Sequence, residues 1–268
     1  MLGAPDAEWA AGRGSGVAVE SRAMGEPIRL VLPAPFEPFA ADHLAALAST
    51  AVAAAALAFV VQKRRGGIAA RFVRRALVAT LLGGTAATLL RAGMDGPLSA
   101  WDFVPLHLCD FLIFVAVAAL VTPSRTAAEL LYFWAGAGTL VAMVGPDVGT
   151  GFPDWRFLAF FGLHGTVVVS AAVVTFGLGR RPGAGAPLRV WLLTNGYAAA
   201  AAAVNAVFGT NFLYLCAKPR GATLLDWLGP WPVYIVVVEM LALGLFMLLD
   251  LPFRAGRHRP GGSGTGSG

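Results

Sequence analysis

Seven nearly uncharged stretches, each close to the length of a bilayer-crossing helix, constrain this chain more than any other feature. They are His43–Val61, Phe72–Leu90, Phe103–Val121, Ala127–Val144, Phe157–Phe176, Leu188–Phe208 and Pro232–Leu251. A helix that crosses ~30 Å of hydrocarbon needs about 20 predominantly apolar residues. The expected fold class is therefore all-α, a polytopic membrane protein with seven transmembrane helices. The second stretch is the weakest, because Arg74 and Arg75 cut into it and must snorkel to the interface. Composition agrees: 57% of residues are hydrophobic and 13% charged, against ~25% charged in a soluble domain. That excludes a soluble enzyme and a disordered chain. The net charge of +5 suggests no nucleic-acid partner, since the charges fall in short runs between apolar blocks. Two cysteines are too few for a disulfide scaffold or a four-cysteine zinc site.

The basic residues orient the chain. Segment 62–75, Arg125, Arg180, Arg181, Arg189 and the C-terminal Arg254, Arg257 and Arg259 place thirteen of them at one end of the spans. The other end has seven: Arg13, Arg22, Arg29, Arg91, Arg156, Lys218 and Arg220. The richer end is expected in the cytoplasm, which puts the N-terminus outside and the C-terminus inside. Three regions are expected: an exported tail over 1–40, a seven-helix domain over 41–253, and a basic then Gly/Ser tail over 254–268. No basic start followed by an apolar run and a small-residue cleavage site occurs in 1–40, so no signal peptide is expected. Pro105 and Pro232 are expected in first helical turns, and Pro123, Pro146 and Pro252 after helix ends. Trp101, Trp134, Trp155, Trp227 and Trp231 lie near block edges, as an aromatic belt does. The alanines of 198–203 would permit close helix approach.

Polar groups within spans are costly and need a reason. Those of interest are His43, His107, Cys109, Asp110, Glu129, His164, Asn195, Asn205, Asn211 and Glu239. With the orientation above, Cys109, His164, Asn205 and Glu239 fall roughly 5–11 Å below the outer boundary at ~1.5 Å per residue. This suggests one outward-facing cavity in the outer half of the bilayer; separate helix–helix hydrogen bonds are the plainer alternative. Glu129 and Asn195 belong to the inner half, with Glu129 close enough to the end to reach water. Cys109 is the nucleophile candidate, although a lone cysteine in an apolar helix is usually a small core residue. A histidine can take a thiol proton. His107, two residues away, points to the other side of a helix. His164 stands at matching depth on another span. His107 and Asp110 share a face and could join Glu239 in a hydrogen-bond network. Cys216 could instead bridge to Cys109, which would abolish such chemistry.

The stretches PLHLCDF (105–111), LYFWAGAGTLVAMVGPD (131–147), FGLHG (161–165), GTNFLYLCAKP (209–219) and LLDWLGPWPVYIVVVE (224–239) together resemble the YwaF-like integral membrane family, which is similar to eukaryotic transmembrane protein 164. The resemblance covers roughly residues 36–253. It implies a seven-helix acyltransferase in the plasma membrane, moving a fatty acyl chain from a phospholipid to a lysophospholipid without coenzyme A or another cofactor. It also implies a catalytic cysteine and histidine, which fall on Cys109 and His164. Asn211, Tyr214, Lys218, Asp226 and Trp231 match the family pattern without an assigned role. Asn205 or Asn211, or the N–H groups at a helix start, would hold the oxyanion.

Two rival readings come from other classes. His43, His107 and His164, with Asp110 and Glu239, could form an intramembrane zinc hydrolase, since three ligands and a water make a catalytic zinc site. The final span, however, has no histidine. Alternatively the protein binds or transports lipid without catalysis, although neither repeats nor broken midplane helices are evident.

Overall fold

A computed structural model of the chain describes residues 34–219 and 224–257. The expected tails lie outside these residues up to 33 and beyond 257. Seven helices are long and apolar enough to cross a membrane, and the described residues contain no strand beyond one isolated bridge between Pro35 and Thr150. They are α1 (Ala41–Lys63), α2 (Ile68–Asp95), α3 (Leu108–Val121), α4 (Arg125–Val144), α5 (Trp155–Gly177), α6 (Ala186–Phe208) and α7 (Val233–Arg257).

Helix α5 is the central element. It packs on α1, α2, α3 and α4, while α6 and α7 pair with each other and lean on α4. Leu112, Ala116, Leu120, Leu131, Phe133, Val173 and Val174 form the heart of the core. Small residues set the close approaches around α5. A methyl at Gly165 would stand 2.7 Å from the Thr50 hydroxyl of α1, and one at Gly84 of α2 would stand 2.8 Å from Leu163. Those two contacts flank His164 and pin the helix that carries it.

Both core helices contain a π-turn, Ala135–Thr139 in α4 and Val173–Gly177 in α5. Each holds a buried threonine hydroxyl, on Thr139 and Thr175, without a hydrogen-bond partner among the described residues.

Each end of the bundle has its own fastening. At one end two arginines cap α3. Arg74 donates to the carbonyls of Leu120 (2.6 Å) and Val121 (3.2 Å). Arg180 donates to those of Ala119 (2.5 Å) and Thr122 (2.6 Å). The last carbonyls of a helix have no partner within it, and cations there also meet the helix dipole favourably. Arg74 therefore does more than snorkel. Burial and the neighbouring Arg74 hold the Arg180 guanidinium below its usual range. Glu129 corrects the sequence reading: it is buried instead of reaching water. Its carboxylate accepts from Arg125 (2.9 Å), from Arg189 (2.8 and 2.9 Å) and from the Gly183 N–H (3.1 Å). This cluster ties α4 to α6 at the same end.

At the opposite end the segment before α1 lies against the turn before α5. Phe36 N–H donates to Gly149 and Gly151 N–H to Ala34. Asp42 accepts from Phe152 N–H at 3.0 Å, and Arg156 of α5 meets Asp95 of α2 at 3.2 Å.

Four further expectations change. Pro105 is not in a helical turn: a short 3-10 turn covers Ala100–Phe103, and α3 begins only at Leu108. Pro252 lies inside α7, which runs on to Arg257; the Tyr132 hydroxyl donates to the Leu249 carbonyl in the preceding turn (3.0 Å). Trp134 is buried beside the π-turn of α4, far from any edge belt, and donates to the Thr194 hydroxyl (2.8 Å). Of the alanines in 198–203 only Ala201 is buried, so most of that run faces outward and does not draw helices together.

Candidate active site

The first turn of α3 brings three candidate residues to one place. His107 is the N-cap residue, and Cys109 and Asp110 follow in the opening turn. The late start of α3 explains this. Proline fixes its own backbone and biases the residue before it to an extended form, and Val104–Leu106 runs as an irregular approach to the helix. Cys109 is thus nearer a helix start than the apolar pattern suggests. No side chain caps the first N–H groups of α3. Such N–H groups are ready donors to an anion.

His164 lies on α5, which packs against α3. Its ring stacks on Phe160 with centroids 4.1 Å apart. Its Nδ1 is 2.9 Å from the Phe160 carbonyl. A carbonyl can only accept, so Nδ1 carries the proton and Nε2 is left with its lone pair. That is the tautomer a general base needs. His107 and His164 lie within electrostatic range of the Asp110 carboxylate, as does Tyr197 of α6. Cys109 is half-buried and Asp110 exposed. Cys109 and Cys216 are both free thiols, so the alternative of a bridge between them is not realised.

Tyr197 escaped the sequence reading because an aromatic residue in an apolar span reads as core. Its hydroxyl donates to the Pro105 carbonyl (3.2 Å), and its ring stacks on Phe111 at 4.8 Å. It thereby fixes the approach to α3 from both sides of the cysteine.

The other candidates lie nearby with different duties. Asn205 is buried, and its amide holds the turn after α6: Oδ1 accepts from Phe212 N–H and the Thr210 hydroxyl (both 2.8 Å), and Nδ2 donates to the Phe212 carbonyl (3.0 Å). Asn211 accepts from the Cys216 and Ala217 N–H groups and donates to the Ala217 carbonyl. The loop so tied sets the rings of Phe212 and Tyr214 against His107, at 5.3 and 5.7 Å. Trp231 donates to the Leu215 carbonyl (2.9 Å), and the Tyr234 hydroxyl to that of Tyr214. Lys218 meets Asp226 at 3.8 Å. These motif residues gain a physical role as the lock of one loop over the α3 start. Glu239 accepts from Asn195 at 2.9 Å, joining α6 to α7.

His43 is also elsewhere. It is buried at the α1 start, its Nδ1 accepting from Phe39 N–H (2.9 Å) and its Nε2 donating to the Met143 carbonyl (2.8 Å). With both nitrogens engaged it cannot join His107 and His164 as a ligand. Among the described residues no three His, Cys, Asp or Glu side chains converge in a way that could hold a metal ion.

These features define a polytopic helical membrane protein with a cysteine, two histidines and an aspartate gathered at one end of the bundle. Residues 38–250 match the TMEM164 family. The chain belongs to that family. Comparison with curated proteins and with solved structures returned no match.

Proposed function

We propose that the protein is a phospholipid acyltransferase of the cell membrane that works through a cysteine thioester. What supports this most is the tautomer of His164: the Phe160 carbonyl holds the proton on Nδ1 and, in the neutral ring, leaves Nε2 as a base on a helix that packs against α3, the helix of Cys109. In this reading His164 Nε2 takes the Cys109 proton as Sγ attacks the ester carbonyl of a donor phospholipid. The tetrahedral oxyanion meets the uncapped N–H groups of the α3 start. Asn205 and Asn211 are poorer donors for it, because their amides already serve the loop. Collapse of the intermediate expels the lysolipid alkoxide, which takes the proton from His164. The hydroxyl of a lysophospholipid then attacks the thioester, with His164 again as base, and Cys109 is restored. No coenzyme A is needed. The basic-residue bias puts the site in the outer half of the bilayer, where lipid is the available acyl source.

Intact-protein mass spectrometry after incubation with phospholipid tests the reading. Wild type gains a hydroxylamine-sensitive acyl adduct; Cys109→Ala shows none, and His164→Ala forms it at least ~100-fold more slowly, the size of a general-base contribution. An equal adduct on Cys109→Ala, or lipid remodelling by that variant at the wild-type rate, ends the proposal. Lipid movement between leaflets by a remodelling-dead protein would favour transport.

A further inference from the structure

Five arginines of the described bundle have a carboxylate partner. Arg91, Arg125, Arg156, Arg189 and Arg254 each pair with Asp95, Glu129 or Asp250. Arg71, Arg74 and Arg75 are among those without an ion pair in the described residues, and they are the three that gather at one groove. Arg74 serves the α3 carbonyls, Arg71 makes one bond to the Gly66 carbonyl (3.2 Å), and both Arg71 and Arg75 are exposed. The three flank a groove of about 400 Å³ between α2 and the end of α3, continued one turn along α2 by Val78 and Ala79, with Val121 of α3 on its wall. The order along the groove is charge first and apolar surface next. Its depth is fixed too: Arg74 reaches the final carbonyls of α3, the level at which a spanning helix meets headgroups.

We propose that this groove is a binding site for one anionic glycerophospholipid, with its phosphate between Arg71 and Arg75 and an acyl chain along Val78, Ala79 and Val121. An arginine fork matches phosphate oxygens in geometry and charge, and basic pockets between spanning helices suit anionic headgroups. Free phosphate would use the arginines but not the apolar continuation. The groove lies at the far end of α3 from Cys109, twelve residues or roughly 18 Å along the axis, and goes beyond the acyl-transfer reading.

Native mass spectrometry of the purified full chain, titrated with phosphatidylglycerol or phosphatidylcholine, tests it. Wild type retains one phosphatidylglycerol in preference to phosphatidylcholine. In the R71Q/R75Q variant its affinity falls about 30-fold, near fivefold per arginine. Ala79→Trp keeps the charges, fills the groove and also weakens retention; Arg156→Gln, at the other end, leaves it unchanged. Equal retention of the two lipids overturns the proposal. So does unaltered phosphatidylglycerol binding in both groove variants, or a loss in R71Q/R75Q with full retention in Ala79→Trp, which would mark an anion site without a lipid chain.

Discussion

Two histidines show how much the protonated nitrogen decides. His43 has a backbone N–H on Nδ1 and a carbonyl on Nε2, so both ring positions are consumed by structure. His164 has a carbonyl on Nδ1 alone, and its other nitrogen stays available. His43→Ala should destabilise the protein by about 3 kcal/mol, from a cavity and two unpaired backbone groups, while the folded fraction still forms the acyl adduct. Thermal unfolding and adduct mass spectrometry on one sample check both halves. An adduct lost from well-folded His43→Ala would assign that residue to chemistry. The sequence alone put Cys109, His164, Asn205 and Glu239 near one depth, because a polar residue in an apolar run is conspicuous. It could not show that Asn195 claims Glu239, or that Asn205 turns back on Phe212. Those pairings depend on helix rotation and on a loop whose backbone departs from common geometry at Leu213 and Tyr214 (φ 58° and 54°).

The elements themselves were the most legible part, since a span announces itself by length and apolarity. Their ends were less so. The approach at Pro105 delays α3 to Leu108, and α7 runs through Pro252. The partners of the arginines were illegible: Arg180 lies about sixty residues from the carbonyls it caps, and Arg189 sixty from Glu129. Arg180→Ala should cost about 2–4 kcal/mol, because two charge-assisted bonds vanish and the carbonyl of buried Ala119 loses its donor. Lysine at 180, which lacks the fork, should recover only part of that. Unfolding in detergent, with Arg181→Ala as a comparison expected within about 0.5 kcal/mol of wild type, reads the difference.

At the scale of the molecule the two ends differ in kind. One is a collar of arginines on carbonyls and Glu129; the other carries the cysteine turn, its loop and the free, exposed Cys216. In the proposed reading, from the basic bias, the second end lies outside the cell. In intact cells making the Cys109→Ala variant, a membrane-impermeant maleimide should therefore label Cys216. Labelling only after lysis would invert the topology and, with it, the lipid leaflet that supplies acyl chains.

The π-turns of α4 and α5 bear on how such a bundle can vary. An i→i+5 turn takes up one residue more than an α-turn. Each is thus a slack link in a helix whose two ends are anchored separately. A one-residue deletion within 135–139 or 173–177 could be absorbed by a return to ordinary winding. The same deletion a turn away would rotate everything beyond it by roughly 100° and carry His164 or Glu129 off its partners. Relatives should therefore differ in length inside these two helices at those five-residue windows, where the backbone already has room to lose a residue.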